Sequence, residues 1–183
     1  MGILKKFDLA SYGCNVYVET GTGVCNTLSK AIPNFEKCYS VDLDENRYKE
    51  AKAKFPQANL YHGLSIDALE HWLKNDIQEY DRVLFFLDAH FPDADYNGAQ
   101  YDVEAPNAVP LQQELELIRK YRPHGKDFII CDDLRIYADG DFEDGDCPGI
   151  KVKGGLSFLY KLYKNITLDY SEHGYIMIDC RHD

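Results

Sequence analysis

The sequence predicts an α/β fold: a mostly parallel seven-stranded sheet closed by a C-terminal antiparallel hairpin, with helices on both faces. Three observations predict it. Short runs rich in branched and aromatic residues alternate with segments of 3.6-residue apolar spacing, the signature of strands interleaved with helices. The first such run passes straight into a glycine-rich turn, Glu19-Thr20-Gly21-Thr22-Gly23, and then into a helical segment. The last two runs are separated only by Ser171-Glu172-His173-Gly174, the spacing of a hairpin.

Taken in order, Tyr17–Glu19, Cys38–Asp42, Ala58–His62, Val83–Asp88 and Phe128–Asp132 read as buried strands. Between them Cys25–Ile32, Glu45–Lys54, Ser65–Lys74 and Leu111–Tyr121 read as helices with polar starts, and Ile3–Tyr12 as a short helix ahead of the sheet. Strands covered by helices on both faces pair in parallel, whereas Ile166–Tyr170 and Tyr175–Asp179 pair as a hairpin. No repeat, low-complexity tract or linker divides residues 1–183, so one domain is expected.

Composition narrows the partners. With 31 acidic against 20 basic residues the net charge is -11, which repels phosphate backbones and argues against nucleic acid. No run approaches the roughly 18 apolar residues of a membrane span, and Met1-Gly2-Ile3-Leu4-Lys5-Lys6 has no apolar signal core, so a cytoplasmic protein is expected. Six cysteines stand singly without a Cys-x-x-Cys pair and are expected as buried, reduced thiols.

The glycine turn marks a nucleotide-type cofactor site, because glycines allow close backbone approach and the following helix offers unpaired N–H groups. About 20 residues further on, where a dinucleotide fold places its ribose carboxylate, the second strand ends at Asp42. Taken singly, Asp42 could open a loop and Ser65 could cap a helix. Taken together, at successive strand ends, they read as a ligand site. The fourth strand ends Leu87-Asp88-Ala89-His90-Phe91 and the fifth Cys131-Asp132-Asp133. Side by side, these strands would gather Asp88, Asp132 and Asp133, and clustered carboxylates imply protons or a cation. Oxygen ligands with room for water suit Mg²⁺ or Mn²⁺.

These residues resemble the class I S-adenosylmethionine-dependent methyltransferases, whose Rossmann-like sheet ends in a reversed strand. Glu-x-Gly-x-Gly is their turn, and Asn26 stands where a dinucleotide fold has its third glycine. Leu87-Asp88-Ala89-His90-Phe91, Pro110-Leu111 and Glu114-Leu115 are similar to the macrocin-type, and the carboxylates to the catechol-type, metal-dependent O-methyltransferases. The resemblance implies that Glu19, Gly21, Thr22 and Gly23 hold the amino-acid end of the methyl donor and that Asp42 holds its ribose. It places Ser65 and Asp67 near adenine and Asp88 beside the donor, with Mg²⁺ or Mn²⁺ on Asp88, Asp132 and Asp133. A sugar or phenol hydroxyl needs deprotonation before it attacks a sulfonium, and His90 is the base for that proton, with Asp88 as runner-up where no metal is bound.

The expected activity is metal-assisted O-methylation of a small molecule. Its alternatives are a metal-independent N-methyltransferase, disfavoured by charge and by the lack of an Asn/Asp-Pro-Pro-Tyr segment, and a non-catalytic nucleoside-binding module. Pro92–Pro110 reads as a substrate lid and Tyr137–Pro148 as the opposite wall. Arg135 either grips an anionic acceptor or pairs with a nearby carboxylate. The short region before the first strand leaves an open acceptor site or one completed by a second subunit in a homo-oligomer.

Overall fold

The computed structural model describes residues 6–90, 108–145 and 152–182. Seven strands form one sheet: β1 (Val16–Thr20), β2 (Lys37–Asp42), β3 (Asn59–His62), β4 (Val83–Leu87), β5 (Phe128–Cys131), β6 (Ile166–Asp169) and β7 (Tyr175–Asp179). Their order is β3-β2-β1-β4-β5-β7-β6. The first five run parallel to one another, and β7 runs antiparallel to both β5 and β6. Among the described residues five α-helices accompany them: α1 (Asn26–Ala31), α2 (Glu45–Lys54), α3 (Ser65–Asn75), α4 (Leu111–Tyr121) and α5 (Leu159–Leu162).

The period-2 geometry of the strands divides the core. Val16, Val18, Val41, Phe85, Leu87, Ile129 and Ile178 face α3, α4 and α5, while Tyr17, Cys38, Leu84, Phe86, Ile130 and Tyr175 face α1 and α2. Every residue of β1 and β4 is buried, as expected of central strands covered on both sides. Local signals agree: Asp44 caps α2 by accepting from the backbone N–H groups of Asn46 and Arg47 at 2.7 and 3.0 Å, and Leu111, Leu115 and Ile118 set the buried face of α4.

Each expected strand and α1 to α4 form, with ends shifted by a residue or so, but β3 is not the buried strand expected: it lies at the edge of the sheet, with Asn59 and His62 exposed and Leu60 and Tyr61 half-buried. The expected helix over Ile3–Tyr12 is different: residues 1–5 lie outside the described residues, and the remainder forms a 3-10 turn, Leu9–Tyr12, stopped by Gly13 in the left-handed region. The spacing also missed three further 3-10 turns, Leu134–Ile136, Gly155–Phe158 and Cys180–His182, and α5, all too short to show periodicity. Cys25, Cys38, Cys131 and Cys180 are buried free thiols, and burial pushes Cys38 up to about 12. Among the described residues no helix is long and apolar enough to cross a membrane.

At the edge where β4 and β5 begin, one buried ion pair ties several segments together. The Arg122 guanidinium holds the Asp127 carboxylate and donates to the carbonyls of Gln78 and Asp81, while Asp127 Oδ1 also accepts from the Val83 N–H at 2.9 Å. At the opposite edge two carboxyls sit inside the core. Glu19 accepts from the hydroxyls of Tyr17, Thr27 and Ser40 at 2.9, 2.5 and 2.7 Å. Glu114, on the first turn of α4, accepts from Ser65 and Thr20, and its Oε1 has no hydrogen-bond partner. Burial raises both to about 7.

Two outcomes are expected. Asp127→Ala leaves Arg122 charged and unpaired and should cost about 3–5 kcal/mol in urea unfolding, far from the site; a loss below about 1 kcal/mol would contradict the staple. Glu19 and Glu114 titrate at about 4.3 when unfolded, so folding takes up protons and their stability contribution falls as pH rises from there to about 7. Glu114→Gln should flatten that fall and make the variant more stable than the parent at pH 8, by about 1–3 kcal/mol. An unchanged slope in unfolding free energy against pH would show Glu114 to be ionised throughout.

Candidate functional site

The carboxyl ends of β1, β2, β4 and β5 converge on one side of the sheet. The turn after β1 is clamped to the end of β2: Gly21 and Thr22 donate their N–H groups to the Val41 carbonyl at 3.0 and 3.1 Å, and Gly23 donates to Asp42 Oδ2 at 2.8 Å. Asp42 Oδ1 accepts from the Asp44 N–H at 2.8 Å, leaving part of the carboxylate's accepting capacity for a ligand. Gly21 has φ +83°, and a Cβ there would lie 2.4 Å from the Asp88 carbonyl oxygen. The glycine is thus required first by the close passage of the β4 end, whatever approaches from outside.

Glu19 lies beneath this turn with 0% exposure. Its carboxylate shapes the turn from below through Thr27 and Ser40, and Ser40 also bonds Thr22. That differs from the expected direct hold on a ligand, because hydroxyl donors surround the acid on the protein side. Ser65 is not the cap of α3; Leu64 holds that position, and the Ser65 hydroxyl turns to Glu114. Asp67 is exposed in the first turn of α3, where the helix dipole favours an acid.

Beyond β4 and β5 the chains stay adjacent, with Leu87 opposite Cys131 and the Asp132 N–H donating to the Leu87 carbonyl at 3.0 Å. Asp88, His90 and Asp133 come together: each offers one ligand-type atom, all within 4.8 Å of one another. His90 Nε2 is 3.2 Å from Asp88 Oδ1 and 2.7 Å from Asp133 Oδ2. This corrects the expected trio of carboxylates. Asp132 stands beside the group rather than in it, because its Oδ1 accepts from the Asp133 N–H at 2.9 Å, and the left-handed Asp133 (φ +54°) turns its own carboxylate toward His90. A left-handed non-glycine residue is a strained conformation of the kind that gathers at functional sites.

Asp133 also meets Arg135 Nε at 3.0 Å and His173 Nδ1 at 3.3 Å. Arg135 thereby takes the second of its two expected roles, pairing with a carboxylate. Burial alone would raise Asp133, but His90, His173 and Arg135 outweigh it and hold the group below the usual carboxylate range. Burial raises Asp88 despite His90, and raises Asp132 strongly with the help of Asp88 and Asp133. His90 is itself pushed well above its ordinary value, since Asp133 and Asp88 overcome the effect of burial.

His173 escaped the sequence reading: it reaches the site only because β7 is antiparallel to β5, which puts the turn before β7 where β5 ends. The expected wall Tyr137–Pro148 is described only as far as Gly145, and there Tyr137 and Phe142 pack down, with Phe142 5.2 Å from Tyr170. Nearly all of the expected lid Pro92–Pro110 lies outside the described residues.

No family model matches this chain, and no curated protein matches it by sequence. Solved structures do match. An O-methyltransferase from Bacillus cereus in complex with SAH aligns over 92% of this chain and 75% of its own, with TM-score 0.61 and 14% identity. A SAM-dependent methyltransferase from Archaeoglobus fulgidus aligns over 91% and 68%, with TM-score 0.55 and 16% identity. An rRNA methylase from Streptococcus thermophilus aligns over 94% and 92%, with TM-score 0.53 and 13% identity. With its strand order and reversed β7, the chain has the Rossmann-like fold of the class I methyltransferases.

Proposed function

We propose that the protein is an S-adenosylmethionine-dependent methyltransferase that methylates a hydroxyl of a sugar or other small molecule with the help of a divalent cation. The observation that carries this reading is the convergence, at one end of the sheet, of the clamped glycine turn and Asp42 with the Asp88–His90–Asp133 group. Ligands of open α/β sheets sit beyond the carboxyl ends of the strands. The B. cereus neighbour supports the choice of oxygen as acceptor, and the net charge of -11 weighs against an RNA acceptor.

In this reading Gly21, Thr22 and Gly23 cradle the amino-acid end of the donor while Glu19 stiffens the turn from beneath. Asp42 accepts from the ribose hydroxyls, and Ser65, Asp67 and Asp88 border the rest of the donor. The cluster fits a cation on geometry: two ligands about 2.1 Å from a metal and at right angles lie about 3 Å apart, close to the separations of 3.2 and 2.7 Å around His90 Nε2. One nitrogen among carboxylates suits Mn²⁺ better than Mg²⁺. When bound, S-adenosylmethionine supplies the methyl group and the cation lowers the pKa of the acceptor hydroxyl. Asp88, the most exposed of the three at 29% of its side chain, takes the acceptor's proton on its oxygen not held by the cation, while His90 would hold the cation as a neutral imidazole through Nε2.

Calorimetry with S-adenosylhomocysteine should give micromolar or tighter binding, weakened about 10-fold or more in Asp42→Asn, because bonds from ribose to a charged oxygen are lost. Absence of binding in the parent would sink the methyltransferase reading. In Asp133→Asn, Mn²⁺ stimulation of methyl transfer should vanish while S-adenosylhomocysteine affinity stays within about twofold, as separate binding of donor and cation requires. Equal loss of both would mean one shared site.

A further inference from the structure

The β6–β7 turn is shaped far more tightly than a connection between two strands requires. Glu172 has φ +54° and Gly174 has φ +82°, and a Cβ on Gly174 would meet Phe142 at 2.5 Å and Leu134 at 2.8 Å. Its backbone is bonded on both sides. The carbonyls of His173 and Gly174 accept from the N–H groups of Arg135 and Leu134 at 3.2 and 2.9 Å, which pins the segment right after Asp133. Across the turn, Glu172 exchanges backbone and side-chain bonds with Asp144 and Glu143 of the 137–145 loop. The residue presented by this arrangement is His173, whose two ring nitrogens each face a carboxylate: Nδ1 lies 3.3 Å from Asp133 Oδ1 and Nε2 lies 3.3 Å from Asp144 Oδ2.

We infer that His173 is a positioning residue for the candidate metal centre: carried by the C-terminal hairpin and oriented by Asp144, it fixes the carboxylate of Asp133 so that the other oxygen, Oδ2, is aimed at His90 and the cation. The inference deepens the functional reading above and rests on it for the identity of the cation. A carboxylate with one oxygen tied to His173 and Arg135 has little freedom left to rotate, and outer partners that orient a metal-bound group are worth about 10–100-fold in metal affinity. The 52% exposed Asp144 at the far end of the chain links that orientation to the loop expected to wall the acceptor.

Two replacements separate the two nitrogens. Asn keeps a donor near the Nδ1 position, toward Asp133, whereas Gln keeps one near Nε2, toward Asp144. By Mn²⁺ titration, followed calorimetrically, His173→Ala and His173→Gln should lose about 10–100-fold in affinity and His173→Asn about threefold or less. S-adenosylhomocysteine affinity measured with chelator should stay within twofold of the parent in all three. Equal Mn²⁺ affinity in parent and Ala variant overturns the inference. So does a parallel loss of donor affinity and of unfolding midpoint in the Ala variant, which would make His173 a part of the general scaffold. A parent that binds no Mn²⁺ defeats the metal reading instead, and the ring-proton NMR resonance of His90 Nε2–H then decides: protected in parent and Asn variant and lost in Ala upholds the positioning role, and a resonance unchanged in Ala overturns it.

Discussion

Asp133 must keep a negative charge in a place that disfavours one. The residue is 7% exposed, its backbone is left-handed, and Asp88 and Asp132 stand beside it. Arg135, His90 and His173 compensate by approaching from three directions, so the acid stays ionised while its carboxylate neighbours are pushed upward. Each of these partners comes from a different stretch of chain, and their convergence requires β4, β5 and β7 side by side. β4 and β5 must run in parallel register to bring His90 near Asp133, and β7 must be reversed to bring its leading turn to the same edge.

The two halves of the site are mechanically joined. Thr20, at the end of β1, accepts from the Asp88 N–H through its hydroxyl at 3.3 Å and through its carbonyl at 3.0 Å, and its hydroxyl also reaches Glu114. Gly21 packs against the Asp88 carbonyl with no room for a side chain. A shift of the glycine turn is therefore a shift of Asp88, which sits both beside the proposed donor site and in the Asp–His–Asp group. In-line group transfer needs this kind of rigid registration between the two reactants.

Much of this was legible in the chain. Strand and helix runs were readable because central parallel strands are continuously apolar and helices α3 and α4 keep their 3.6 spacing. Glu19, Gly21, Gly23, Asp42 and Asp88 were singled out from their place at or just beyond strand ends, where the structure also has them. Two things were not readable. Which carboxylates share a centre depends on one backbone torsion, the left-handed φ of Asp133, and no spacing rule encodes it. His173 lies about 40 residues from Asp133 in a turn that resembles any hairpin loop, and only the antiparallel pairing of β5 with β7 makes the two neighbours.

The central claim is that donor and acceptor meet between the glycine turn and the Asp88–His90–Asp133 group. A crystal structure of the protein with S-adenosylhomocysteine tests it most directly. Density is expected over Gly21–Gly23, with ribose hydroxyls on Asp42 and the sulfur directed toward Asp88. Density elsewhere on the molecule, or a ligand whose sulfur faces away from that group, would contradict it.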